Sequence, residues 1–190
     1  MRVGFRNQPL PFHQHAMEAA EAAMAANAQG KFWQMHDKLF GNQQALDRPA
    51  LEKYAQEIGL NVSKFKIAMD NHSYKKQIEA DSQAGNAVGA NGTPAFFVNG
   101  QSLSGAQPFD AFKAVIDKEI THADELLKKG IKRDKLYEEI LRTLPEHAAN
   151  TPKAPAAEAA PERVEIAAGD APLRGPKKAP VLIVEYSDFQ

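Results

Sequence analysis

Few residues of this sequence belong to the types that most often carry chemistry, and cysteine is missing altogether. Without cysteine, the 190 residues offer no thiolate nucleophile, no thiolate metal ligand and no disulfide. His13, His15 and His36 remain as candidate metal ligands. His13 and His15 are two apart at a predicted helix start and point to different faces, and no carboxylate spacing completes a recognised site. We therefore predict neither a metal nor a cofactor.

The aromatic side chains of one predicted helix region allow two interpretations. Phe32, Trp33 and Phe40 could form an aromatic face that binds peptides. Aromatic side chains at helical spacing more often belong to a hydrophobic core, and we favour the core.

Charge and hydropathy exclude two classes of partner. The sequence has 23 basic and 24 acidic residues, a net charge of −1, which gives no electrostatic footprint for nucleic acid or an anionic membrane. No apolar run approaches the roughly 18 to 20 residues of a membrane helix. The residues from Met1 to Phe5 lack the apolar core of a signal peptide. We predict no nucleic-acid partner and no membrane partner.

Local patterns divide the first 90 residues into one strand followed by helices. Arg2–Arg6 alternates as a short strand does and runs into prolines. Ser63 is the expected cap of the fourth helix. The expected helices span His13–Ala28, Phe32–Phe40, the Leu51 to Ile58 pattern, the segment after Ser63, and Tyr74–Val88.

The second half contains a hairpin, a helix and a composition change. Ala95–Val98, the Asn99-Gly100 turn and Gln101–Leu103 predict a two-residue hairpin. Pro108 opens a helix, and helical character continues to Leu144 with an interruption at Gly130. Residues 146–179, rich in Ala, Pro, Glu and Lys, are typical of a solvated linker.

Three stretches resemble the DsbA-like branch of the thioredoxin superfamily in their residues as well as in their order along the chain. They are Phe5–His13, Gly30–Asp37 and Gly92–Gly100. The resemblance covers residues 2 to about 120. It implies an α/β, thioredoxin-like fold with a DsbA-type helical insertion.

The same resemblance suggests roles for individual residues. Thr93 and Pro94 would form the cis-proline loop, which in the family packs against the reactive sulfurs and pairs its backbone with a bound peptide. Two interpretations of Glu185 are about equally expected. It would be either a proton relay beneath the redox centre or an exposed carboxylate at a strand end. The family's centre is a Cys-x-x-Cys motif, for which this sequence has no residues.

The resemblance resumes near the C-terminus, where Ala179–Gln190 is similar to the beginning of such a module. Gln190 matches the position just before the first reactive cysteine. The expected organisation is therefore a module over residues 1–120, a helical extension over 121–145, a linker over 146–179, and the first strand of a following module over 180–190. A selenocysteine codon, a designed truncation and a sequencing frameshift are the hypotheses for this end.

The apolar run Val181–Tyr186 is typical of a strand covered on both faces. In the thioredoxin fold the strand before the redox motif is central, so we predict that this segment fills the middle of the sheet. A coil of about 35 residues reaches some 33 Å, enough to return the strand to its own sheet or to that of a second copy. We slightly favour a homodimer that exchanges this strand over a self-complemented monomer. The reason is that the absent active-site helix would leave an apolar sheet face bare.

Two functions follow from these observations. The first is a fragment of a thiol–disulfide oxidoreductase, itself inactive in redox chemistry, whose parent, by the family resemblance, acts on cysteine-containing client proteins in the periplasm or another extracytoplasmic compartment. The alternative is a cysteine-free thioredoxin-fold module that binds peptides or serves as a scaffold.

Overall fold

The computed structural model describes residues 1–142, 164–166 and 169–190. Its elements, in chain order, are β1 (Arg2–Asn7), α1 (Ala16–Asn27), α2 (Phe32–Phe40), α3 (Arg48–Glu57), α4 (Val62–Asp70), α5 (Lys75–Ala87), β2 (Ala95–Val98), β3 (Gln101–Ser104), α6 (Phe109–Lys128), α7 (Leu136–Arg142), β4 (Leu173–Arg174) and β5 (Leu182–Ser187). The fold is α/β and thioredoxin-like, as the sequence predicted.

The strands of the described residues form one sheet in the order β3-β2-β5-β1-β4. β2 and β3 are the predicted hairpin, antiparallel from the Ala95–Ser104 pair to the Val98–Gln101 pair. The turn residue Asn99 has a φ of 47°, a left-handed conformation that asparagine tolerates better than most residues.

β5 occupies the middle of the sheet, between β2 and β1 of the same chain. The central position predicted for this segment is therefore confirmed. Val184 and Tyr186 are 1% and 2% exposed, so both are fully buried in the described structure.

The chain divides into two compact units. The first comprises Met1–Gly4 and Ala95–Glu185, and the second comprises Phe5–Pro94 and Tyr186–Gln190. β1 and β5 each begin in the first unit and end in the second.

The second unit is built around α1, which contacts each of α2, α3, α4 and α5. Alanine dominates α1, and its side chains from Ala19 to Ala26 are buried. Small side chains let neighbouring helices approach closely, which suits a helix that is buried along most of its length. The predicted start at His13 is wrong by three residues, because α1 begins at Ala16 after a turn.

The remaining helices of the second unit pack large side chains against α1. Phe32 is buried, while Trp33 and Phe40 are half-buried and pack against the same core. These aromatic residues therefore belong to the core, as favoured from the sequence. The expectation that Ser63 caps α4 is wrong. Asn61 caps α4 instead, and its side chain accepts a hydrogen bond from the backbone N–H of Lys64 at 3.0 Å.

In the first unit, one core lies between the hairpin, β5 and α6. It contains Val98, Val181 and Ile183, with Val115 and Ile116 of α6 packed against it. A second cluster joins α6 to α7. The boundary predicted at residue 120 falls inside α6, which continues unbroken to Lys128.

The predicted linker is in part structured. β4 lies within it and pairs antiparallel with β1, Val3 opposite Arg174 and Gly4 opposite Leu173. β4 covers an edge of β1 that would otherwise be unpaired. The low average hydropathy of residues 146–179 gave no sign of this strand. Residues 143–163 and 167–168, which include the predicted helix end at Pro145 and most of the linker, lie outside the described residues.

Candidate functional site

Three segments meet at one end of the sheet, where β1 and β5 finish and β2 begins; this end is called the edge below. β1 runs parallel to β5, since the Arg2 amide donates to Val181 O at 2.8 Å and the Gln8 amide donates to Ser187 O at 2.9 Å. β2 runs opposite to β5, since Asn99 at its far end donates to Leu182 O. The edge therefore holds the residues after β1, the residues after β5 and the loop before β2. All of these residues belong to the second unit.

Asp188, just after β5, ties the ends of β1 and β5 together. Its Oδ2 accepts hydrogen bonds from the Leu10 amide at 2.7 Å and from His13 Nδ1 at 3.0 Å. Its Oδ1 accepts a bond from the Gln190 amide at 3.0 Å. The Asp188 side chain is only 1% exposed. A buried carboxylate needs such donors, and in turn it fixes the loop that carries them.

Gln8 connects the same loop to the segment that leads to Thr93. Its Nε2 donates to Asn86 Oδ1 at 2.9 Å and to the carbonyl oxygen of Ala90 at 3.0 Å. Gly85 of α5 makes room for this contact, because a Cβ there would lie 2.8 Å from Gln8 Oε1. Gln8 thus positions the loop from the side of β1.

A buried ion pair involves Arg6, two residues before Gln8 in the chain. Arg6 of β1 forms an ion pair with Asp81 of α5. Asp81 Oδ2 also accepts bonds from the Asn7 amide at 3.2 Å and from Asn7 Nδ2 at 3.1 Å. Burial raises the pKa of the neighbouring Tyr186, an effect that Arg6 opposes and Asp81 supports. These contacts fasten β1 to α5 and leave Tyr186 neutral at ordinary pH.

The loop that precedes β2 holds the residues predicted from sequence to bind peptides. The Thr93–Pro94 peptide bond is cis. Both residues are half-buried, and a Cβ placed on Gly92 before them would have no heavy atom within 4 Å outside its chain neighbours. Asn91 and Gly92 of this loop are exposed, and Thr93 and Pro94 are partly exposed.

Gln190, the residue predicted to precede the redox centre, is exposed at this edge. Its Oε1 accepts a hydrogen bond from the His15 amide at 2.7 Å, next to the start of α1. A cavity of about 470 Å³ lies beside it. The lining residues, mostly polar, are His15, Gln43, Gln44, Ala45, Leu46, Asp47 and Gln190.

Thr93, Pro94 and Gln190 thus lie in one unit, whereas Glu185 does not. Glu185 is half-buried in the part of β5 that belongs to the first unit. The relay role assigned to it stays a prediction.

Sequence reasoning missed Asp188 and Gln8. Both lie in the stretches that carry the family resemblance, but their partners are distant in sequence. His13 was considered only as a metal ligand, and its ring nitrogen instead bonds Asp188. His15 faces Glu18 at 3.7 Å and His36 faces Asp37 at 2.9 Å, so the three histidines have separate partners. Within the described ranges, no cluster of three potential metal ligands occurs.

A thioredoxin-like sheet with a helical insertion between β1 and the β2–β3 hairpin defines the class of this protein. The family model of the DSBA-like thioredoxin domain matches residues 2–117. The chain belongs to the DSBA-like thioredoxin domain family.

Several curated relatives carry the name of an ion antiporter. The Na(+)/H(+) antiporter NhaA of Herminiimonas arsenicoxydans is 40% identical over 108 residues, which are 57% of this chain and 17% of that protein. The Na(+)/H(+) antiporter NhaA 3 of Salinispora tropica is 36% identical over 117 residues, 61% of this chain and 18% of the relative. The chain thus spans under a fifth of the length of these relatives.

No solved structure is similar enough to be matched. Among the helices that the structure describes, none combines the length and the apolar character needed to cross a membrane.

Proposed function

We propose that this chain is the client-binding part of a thiol–disulfide oxidoreductase and that it exchanges no disulfides by itself. Membership of the DSBA-like family supports the reaction class. The absence of cysteine from the sequence removes the nucleophile that the reaction requires. The observation that carries the proposal is the edge at which Thr93–Pro94 and the ends of β1 and β5 lie in one unit, fastened by Gln8 and Asp188.

The chemistry of the edge suits an extended polypeptide. The backbone of the Thr93 loop would pair with the client main chain, as an added strand pairs with a sheet edge. In this proposal the reactive thiol or selenol comes from residues that the given sequence does not contain. The chain would position the client, and that thiolate or selenolate would supply the nucleophile.

The proposal is tested with a polypeptide that cannot react. Fluorescein-labelled insulin B chain, its cysteines carboxamidomethylated, is titrated with the protein, and anisotropy reports binding. We expect saturable binding that Thr93→Arg abolishes, because a long charged side chain would then cover the loop. Thr121→Arg, at an exposed position of α6, is the matched control and should bind like the unaltered protein.

An insulin-reduction assay completes the test. The chain should not accelerate insulin reduction above the rate given by the reductant alone. Measurable turnover, or binding that Thr93→Arg leaves unchanged, would contradict the proposal.

A second candidate is a cysteine-free module that binds peptides or serves as a scaffold, favoured by the same intact loop and the same lack of cysteine. Both candidates bind the alkylated peptide. The reading frame beyond codon 190 in the source genome separates them: a Cys-x-x-Cys motif or a selenocysteine codon favours the oxidoreductase, and a stop codon followed by unrelated sequence favours the scaffold.

Family membership also supports a location outside the cytoplasm, with cysteine-containing proteins as clients. Exchange of the Val181–Tyr186 strand between two copies stays a proposal beside the self-inserted β5, and a light-scattering mass equal to one chain would count against it. We do not extend the antiporter name to this chain, since the match covers 17% to 18% of those relatives.

A further inference from the structure

His72 lies in the turn between α4 and α5 and has a left-handed backbone, with a φ of 47°. The His72 amide donates to Met69 O at 3.1 Å. The Ser73 amide donates to Ala68 O at 3.0 Å. These two bonds form the Schellman motif, which ends a helix and places the residue at position 72 in the left-handed region.

Other helices of this chain end with the same motif and have glycine at the left-handed position. They are α3, α5 and α6, and the glycines are Gly59, Gly89 and Gly130. Glycine adopts this conformation readily, whereas a β-carbon makes it unfavourable. Backbone geometry therefore favours glycine at residue 72, and the reason for a histidine there lies in its side chain.

The imidazole of His72 contacts a buried carboxylate. His72 Nδ1 lies 3.0 Å from Oε2 and 3.2 Å from Oε1 of Glu21, in the middle of α1. The Glu21 side chain is 2% exposed, and the His72 side chain is 65% exposed. The other buried residues of α1 are alanines and Met24. A carboxylate buried among apolar side chains is unfavourable unless a donor or an opposite charge compensates it.

The other charged groups of α1 and of the helices that contact it, α2 to α5, pair among themselves or lie in solvent. The pairs are His15–Glu18, His36–Asp37, Lys38–Glu57, Lys53–Glu57, Arg48–Glu52, Arg48–Asp70, Lys66–Glu52 and Arg6–Asp81. The exposed groups are Lys64, Lys75, Lys76 and Glu79. Among the described residues, His72 is thus the ion-pair partner of Glu21.

We propose that Glu21 and His72 form a pH-responsive latch that fastens the turn between α4 and α5 to α1. Histidine side chains gain and lose a proton near neutral pH. A protonated imidazole donates Nδ1–H to the buried carboxylate and also compensates its charge. A neutral imidazole leaves the carboxylate with a hydrogen bond and no opposite charge. The stability that the pair contributes is therefore present below the histidine titration range and is lost as the pH rises through it.

This inference stands on contacts within the second unit and does not depend on the proposed function. Its two residues lie in the helical part of that unit, α1 and the turn after α4. The latch would make the packing of this helical part respond to the pH of the surrounding compartment.

Urea denaturation of the chain at about pH 5.5 and about pH 8.5, on either side of the ordinary histidine titration, tests the latch. His72→Asn removes the imidazole and keeps a residue type that tolerates a left-handed backbone. Relative to the parent at the same pH, we expect the unfolding constant to rise about tenfold at the lower pH and less than about threefold at the higher pH. His15→Asn is the matched control, since its ring faces the exposed Glu18 at 3.7 Å. Its effect should be nearly the same at both pH values.

A double-mutant cycle then isolates the pair. Glu21→Gln keeps the size of the buried side chain and removes its charge. At the lower pH, the double variant with His72→Asn should lose less stability than the two single losses predict together, and at the higher pH the losses should be nearly additive. Additive losses at the lower pH would overturn the proposal. So would an effect of His72→Asn that is equal at both pH values, and this comparison alone decides if Glu21→Gln does not fold.

Discussion

Replacing Asp188 with alanine removes a carboxylate that holds three donors at once. The donors are the Leu10 amide, His13 Nδ1 and the Gln190 amide, at 2.7, 3.0 and 3.0 Å. A hydrogen bond to a charged acceptor contributes about 1.5–3 kcal/mol, and a buried donor without a partner costs about 1–3 kcal/mol. The donor sites are only partly buried, so water would replace some of the lost bonding. We therefore expect Asp188→Ala to lower the free energy of unfolding by about 2–4 kcal/mol, less than the sum of three separate bonds.

Urea denaturation followed by circular dichroism measures this loss. Asp188→Asn keeps one acceptor oxygen and should lose about half as much, roughly 1–2 kcal/mol. Asp124→Ala, at an exposed position of α6, is the matched control and should stay within about 0.5 kcal/mol of the parent. If Asp188→Ala is as stable as Asp124→Ala, Asp188 does not fasten the edge and the reasoning fails.

Three further predictions concern packing, strand anchoring and pH. A Cβ on Gly85 would lie 2.8 Å from both Gln8 Oε1 and Tyr186 Cδ1. Gly85→Ala should therefore cost about 1–3 kcal/mol in urea denaturation, and a gain from alanine's helix propensity would contradict the packing. Asn99→Ala removes the bond from the Leu182 amide to Asn99 Oδ1 at 2.9 Å, so thermal denaturation should show a loss of about 1–3 kcal/mol, and an unchanged melting temperature would refute it. Burial raises the pKa of Tyr186 above 10.0; folding therefore favours the neutral phenol, and this stabilisation is present below pH 10.0 and lost as the pH rises through the folded-state pKa. Ultraviolet titration of tyrosinate checks this: because burial also raises the pKa of Tyr54, Tyr186→Phe should remove one of the late-titrating phenols, whereas an unchanged titration curve would contradict it.

Local signals predicted the elements that depend on neighbours in sequence. The Asn99-Gly100 turn supplies the left-handed backbone of a two-residue hairpin, so the hairpin could be located from sequence. The apolar run of β5 requires cover on both faces, which predicted its central position. In each case the physical cause acts within a few residues.

Long-range contacts explain what sequence reasoning missed. Asp188 meets Leu10 and His13 across 178 and 175 residues, a distance that no spacing rule covers. β4 forms because β1 presents an open edge, and nothing in its own composition indicates a strand. Asn61 caps α4 in place of Ser63 because its side chain reaches the Lys64 amide, a choice between two good capping residues that propensity does not decide.

The exposure of Phe12 could not be predicted either. Its neighbours in sequence are proline and histidine, and neither residue type decides whether the ring is buried. Asp188 holds the turn through Leu10 and His13, and the exposed fraction of 76% shows that the Phe12 ring lies in solvent.

Nuclear magnetic resonance of the ¹⁵N-labelled chain tests the central claim most directly, that the edge at Thr93 and Asp188 receives a client polypeptide. On titration with alkylated insulin B chain, we expect amide shift changes to concentrate in residues 10–15, 91–95 and 187–190. Changes concentrated in α6 and α7, or no changes at all, would contradict the claim.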